Sequence, residues 1–197
     1  MKLSNKILFN RLGVSNIRLT EKTDWVTVTI SQEEELEAER IAAIQEADSK
    51  KMNLVDNAFD GEDGKSLLRT IASKQAEFAV RRFGGGTARV TQPNEFHDYP
   101  DVGQVNVRYV FDSEDGLMIM KRDQGKVPMI LVTGKCPDFQ LMGWMIPDYA
   151  KQIIYRINLG REEATFGFLN DMKDHEACTY SKQWLFPMWS FNKELIK

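Results

Sequence analysis

Pro100-Asp101-Val102-Gly103-Gln104-Val105-Asn106-Val107-Arg108-Tyr109-Val110-Phe111 is the stretch whose reading decides the fold. After the Pro-Asp pair and a glycine turn, Val105, Val107, Tyr109 and Phe111 recur at every second position, the period of a half-buried strand. Asn106 and Arg108 then share the opposite face, so two polar side chains emerge beside Asp101. Upstream, Leu67, Leu68, Ile71, Phe78 and Ala79 supply the apolar positions of a helix over residues 66–83 that carries Glu77. Gly84-Gly85-Gly86 ends it. Downstream, the apolar runs 117–120 and 129–132 flank Asp123-Gln124-Gly125-Lys126 and read as a β-hairpin. A third run, 139–146, contains Gly143-Trp144, and Pro147 suits the first turn of a helix reaching residue 157.

Toward the N-terminus, Trp25, Val26, Val28 and Ile30 with Thr27 and Thr29 form a β-branched run that reads as a strand. Ser31 stops it. Ser31-x-x-Glu34 has the spacing of a capping box, and Glu33, Glu34 and Glu35 sit favourably at the positive end of a helix dipole. A helix over 31–51 follows, with Leu36, Ala43, Ile44 and Ala47 as its expected buried side. Asp60-Gly61-Glu62-Asp63-Gly64 reads as an acidic loop, because its acids do not follow the spacing of a calcium-binding loop. The triple glycine follows a helix instead of preceding one and lacks a Gly-Lys-Ser/Thr, which favours helix termination over a phosphate loop.

A chain of 197 residues is long enough for one domain with a sizeable core. We read 1–197 as one domain, with 1–64 as a strand and helix extension packed on it. A composition 42% hydrophobic and 28% charged belongs to a soluble globular protein. No apolar run approaches the roughly 18 residues of a membrane span, so the expected compartment is the cytoplasm, or the host cytoplasm for a viral protein. Cys136 and Cys178 are too few for a disulfide scaffold and read as reduced thiols. His175, Glu176 and Cys178 lack a second cluster to complete a metal site, and a structural or surface role is expected for them and for His97.

The net charge of −3 hides an uneven distribution: residues 31–64 hold eleven acids and three bases, leaving eighteen acids and twenty-three bases elsewhere. The remainder is mildly basic, which permits a phosphate-facing groove on an acidic protein. Trp184, Phe186, Trp189 and Phe191 are expected to close over the core; a base-stacking platform is the alternative. No dinucleotide fingerprint, nucleophile elbow or zinc signature is present.

The order of Ala76-Glu77 on a helix, Pro100-Asp101, the strand ending Val107-Arg108, the hairpin with Asp123 and the Gly143-Trp144 strand resembles the PD-(D/E)XK nuclease superfamily. In that superfamily a helix Glu, a Pro-Asp and a strand (Asp/Glu)-x-Lys converge on magnesium and the scissile phosphate. The likeness spans residues 26–144 and is to nuclease-like proteins often encoded by bacteriophages, which commonly read Val-Glu-Val-Arg in the catalytic strand. The resemblance implies an α/β fold of the restriction-endonuclease-like type, with a central mixed sheet flanked by helices. It implies a magnesium-dependent nuclease acting on DNA, with manganese as a possible substitute ion. Catalytic positions fall on Glu77, Asp101, Asn106 and Arg108, and metal ligands on Glu77, Asp101 and Asn106.

Two departures change the chemistry. Asn106 stands where the strand acid belongs; its amide oxygen can ligate a hard cation but brings no negative charge, so ion binding should weaken. Arg108 stands where the Lys belongs; its guanidinium can orient a phosphate but cannot deprotonate and so cannot be a general base. Lys121 on the next strand is a spatial substitute to consider. The competing expectation is a catalytically inactive nuclease fold that binds nucleic acid or a host protein, with Arg108 paired to Asp101 or Glu77.

Overall fold

The computed structural model describes residues 22–51, 63–92, 99–113, 116–120, 123, 125–150, 177–180 and 185–197. Its centre is a strand that begins at Met129 and is buried from there through Thr133. Alternate residues of that strand divide between two cores: Ile130 and Val132 join one cluster, Met129 and Leu131 the other. Both faces are covered, which is why the sequence there is a continuous apolar run rather than an alternating one.

With β1 at Val26–Thr29, β2 at Asn106–Tyr109, β3 at Leu117–Met120, β4 at Met129–Lys135, β5 at Asp138–Met145 and β6 at Ala177–Tyr180, the main sheet has the order β1-β5-β4-β2. β5 runs antiparallel to β1 and β4, whereas β2 runs parallel to β4. The class is therefore α/β, with a four-stranded mixed open sheet. Helices α1 (Gln32–Lys51) and α2 (Asp63–Phe83) pack together, and Ala38, Ile41, Ala76, Ala79 and Val80 meet Val28, Val107 and Val132 in one core. On the opposite face Leu117 and Ile119 pack with Leu131, Met142, Leu185 and Phe186.

The hairpin expected between 117–120 and 129–132 does not form. β3 pairs antiparallel with β6 in a separate two-stranded sheet, while β4 already has β2 on one side and β5 on the other. A parallel β2/β4 pair needs a crossover, and the chain between them carries β3 as part of it. The hairpin present instead joins β4 to β5.

The buried side of α1 is also out of phase with expectation. Leu36 and Ile44 are exposed, as are Ala43 and Ala47, while Ala38, Ile41 and Ala42 are buried. Small residues at the contact let α2 approach closely, so helix packing, not the position of the largest apolar side chains, selects the stripe. α2 starts at Asp63, inside the expected acidic loop, and Leu68 on its first turns is exposed. It stops as expected: the Gly86 amide donates to Arg81 O, and Gly85 and Gly86 hold positive φ.

Pro147 does open a helix, α3 (Pro147–Ala150), and the remainder expected to residue 157 lies outside the described residues. Phe186 and Phe191 are buried, but Trp189 is 59% exposed; Trp184 lies outside the described residues. Gly143 admits this C-terminal segment, since a Cβ there would lie 2.7 Å from Leu185 Cβ. No helix among the described residues is long and apolar enough to cross a membrane.

Candidate functional site

β2 is an edge strand, so every second backbone N–H faces away from the sheet. Asn106 N donates inward to Pro128 O, and the next amide, Val107 N, donates 2.7 Å to Asp101 Oδ2. Asp101 thus caps the open edge of the strand that carries Asn106 and Arg108. The loop holding it is tied on several sides. Thr91 N donates to Asp101 O, the Thr91 hydroxyl donates to Pro100 O, and Val102 and Val105 exchange both backbone bonds around Gly103-Gln104. Gln104 N reaches Leu195 O at 2.8 Å. Gly103 has φ 58°, and a Cβ there would sit 2.8 Å from Leu195 O, so the turn has room for glycine alone.

Glu77 comes from α2 with its side chain 4% exposed. Its partner is Lys74, one turn earlier and 5% exposed, whose Nζ donates to both Oε1 and Oε2 at 2.9 Å. Both face inward because α2 is buried continuously from Lys74 through Val80. Burial raises the Glu77 carboxyl to about 8; Lys74 opposes that rise, Asp101 adds to it and Arg108 opposes it. Asp101 is also raised by burial, against the pull of the Val107 N–H, Arg108 and Lys74, with Asp123 adding to the rise. The Asp101 charge therefore bears on the Glu77 carboxyl, and a nearby cation would favour the ionised form of both.

Arg108 goes elsewhere. Its Nη2 bonds Asp123 Oδ1 at 3.0 Å, not Asp101 or Glu77. The pair is half-buried, and Arg108 reaches the two carboxylates only through its field. Asn106 is half-buried on the face of β2 that it shares with Arg108, opposite the helix-side core into which Val107 packs, and no hydrogen bond links its side chain to Glu77 or Asp101. Lys121 and His97 lie outside the described residues, as do His175 and Glu176. Cys136 is a free thiol that burial and the Glu35 carboxylate push up to about 12, which makes it unreactive.

The structure thus brings Glu77, Asp101 and Arg108 into one electrostatic unit and adds a member that the sequence reading lacked, Lys74. The i, i+3 spacing of opposite charges is visible, but Glu37 with Arg40 and Asp48 with Lys51 share it on the exposed side of α1. Only the small residues Ala76 and Ala79 beside Lys74 hint that this turn is covered.

Among the described residues no three His, Cys, Asp or Glu side chains form a group able to hold a metal ion. Magnesium keeps several of its waters and needs few protein oxygens, so two carboxylates and an amide suit it in donor chemistry. The carboxylates of Glu77 and Asp101, disfavoured as anions by burial, fit a hard cation in charge as well. No protein-family model, curated protein or solved structure matches this chain.

Proposed function

We propose that the protein is a magnesium-dependent nuclease of the PD-(D/E)XK type, phage-encoded, that hydrolyses phosphodiester bonds in DNA. The observation that carries this reading is the electrostatic coupling of buried Glu77 to half-buried Asp101, which caps the open edge of the strand bearing Asn106 and Arg108. A bound magnesium ion would supply charge neutralisation and a more acidic water. Asp101 would hold it with the oxygen that Val107 does not engage, Glu77 from the helix side, and Asn106 through its amide oxygen. Arg108, fixed by Asp123, would orient a phosphate without accepting a proton.

The test is cleavage of labelled single- and double-stranded DNA and RNA with magnesium, manganese or chelator, comparing the protein with Asp101→Asn. That change keeps an acceptor for Val107 N and removes the charge, so a folded variant should lose metal-dependent cleavage. Unchanged cleavage by the variant would reject the site.

A second reading, a catalytically inactive fold that binds nucleic acid or a host protein, is favoured by Lys74 on Glu77 and Asp123 on Arg108: both charged groups already have partners. It expects metal-independent binding of DNA or RNA whose affinity falls steeply with salt. Binding undetectable at low salt would turn this reading toward a protein partner.

A further inference from the structure

The Lys74 ammonium occupies the seat a cation would take on Glu77. Its Nζ lies 2.9 Å from each carboxylate oxygen, a symmetrical two-oxygen approach in a place closed to water. Arg108 does not share that seat, because Asp123 holds it. An ammonium and a divalent cation cannot both lie against one carboxylate in a buried site without strong repulsion. The lysine stem is four flexible carbons anchored on the same helix as Glu77, so a change of side-chain rotamer is the route by which Nζ would leave.

We propose that Lys74 is a tethered competitor for the divalent cation: its ammonium occupies both oxygens of Glu77 in the ion-free protein and must leave them before the ion can bind there. This rests on the cation site invoked for the nuclease reading, and it assigns Lys74 a positioning role rather than a catalytic one. One consequence is that occupancy depends on what receives the displaced ammonium. A phosphodiester brings the negative charge it needs, so ion and nucleic acid should each strengthen the other's binding.

The experiment is calorimetric titration of magnesium chloride into the full chain and into Lys74→Gln and Lys74→Gln/Glu77→Gln, at about pH 9 in two buffers of different ionisation enthalpy, so that any proton the ion displaces from Glu77 is counted and corrected for. Lys74→Gln should bind at least about tenfold more tightly than the parent, since a repelling charge has been removed. The double variant should lose that gain. Binding by the parent with no gain in Lys74→Gln overturns this inference and leaves the nuclease reading standing. Binding by neither overturns both, and binding by Lys74→Gln alone supports the competitor.

Should the variant fail to fold, reductive methylation of Lys74 in the parent protein, read by peptide mass spectrometry, decides the matter. Magnesium should speed labelling several-fold by releasing the ammonium from its pair. Unchanged or slower labelling overturns the proposal.

Discussion

Two ion pairs in this molecule share one geometry and have opposite consequences. Glu37 and Arg40 on α1 stand three residues apart with a 2.7 Å contact, and so do Lys74 and Glu77 on α2 at 2.9 Å. The first pair is 42% and 54% exposed at its acid and base; the second is 4% and 5%. In the exposed pair the Arg40 hydrogen bond holds the Glu37 carboxyl below its usual range. In the buried pair the loss of water outweighs the partner and pushes Glu77 to about 8. Spacing makes a pair possible, and burial decides what the pair does.

The comparison is sharpened most by Lys74→Met. At about pH 9, removing the ammonium leaves Glu77 either ionised without its partner or forced to take up a proton from solution, and chemical denaturation should register a loss of up to about 3–5 kcal/mol. At about pH 6 Glu77 is protonated with or without Lys74, and the loss should shrink. Lys74→Met/Glu77→Met, which removes both charges, should recover most of the stability at either pH. A double variant as unstable as the single one would show that the pair holds α2 by contacts other than charge.

The next effect is the pH profile of the parent. Glu77 has a folded-state pKa above its unfolded value, so the folded protein binds the extra proton between them. Its contribution to stability is full below about pH 4.5 and is lost as pH rises through about 8. Glu77→Gln should flatten that part of the curve, measured as denaturation midpoint against pH. Glu37 carries the reverse sign: its contribution is present above its unfolded pKa and lost as pH falls through the depressed folded value.

Ser31→Ala should be smaller, about 1 kcal/mol in the same assay, because it removes one half of a capping box. Ser31 N donates to Glu34 Oε2 at 2.9 Å, and Glu34 N donates to Ser31 Oγ at 3.3 Å. Glu34 also binds Arg82 on α2 at 2.9 Å, so the cap doubles as a link between the helices. Smallest of all is Arg40→Gln, which should leave the denaturation midpoint unchanged within error, since solvent already screens that pair.

Much of the α/β layout is legible in the residues themselves. Alternation at Val105, Val107 and Tyr109 marks β2, and Ser31-x-x-Glu34 marks the start of α1, because these signals are local. Strand pairing is not local. The apolar runs that became β3 and β4 fit a hairpin as readily as they fit two different sheets, and only the occupied edges of β4 decide between them. The same holds for the candidate site. Glu77, Asp101 and Arg108 could be named from residue order, but Arg108 turning to Asp123 and Lys74 settling on Glu77 depend on which side chains lose water. Leu36 and Leu68 teach the converse: large apolar side chains on a helix can be left outside when small ones make the contact.

The backbone bond from Gln104 N to Leu195 O, with glycine required at position 103 beneath it, sets an order of events during synthesis. Chains emerge from the ribosome N-terminus first. A nascent chain halted before Leu195 already carries Lys74, Glu77, Asp101, Arg108 and Asp123, yet lacks the clamp on the turn that follows Asp101. The loop can take its final shape only after the last 3-10 turn, Lys193–Ile196, has cleared the exit tunnel. Completion of the turn after Asp101 is thereby tied to the emergence of Leu195.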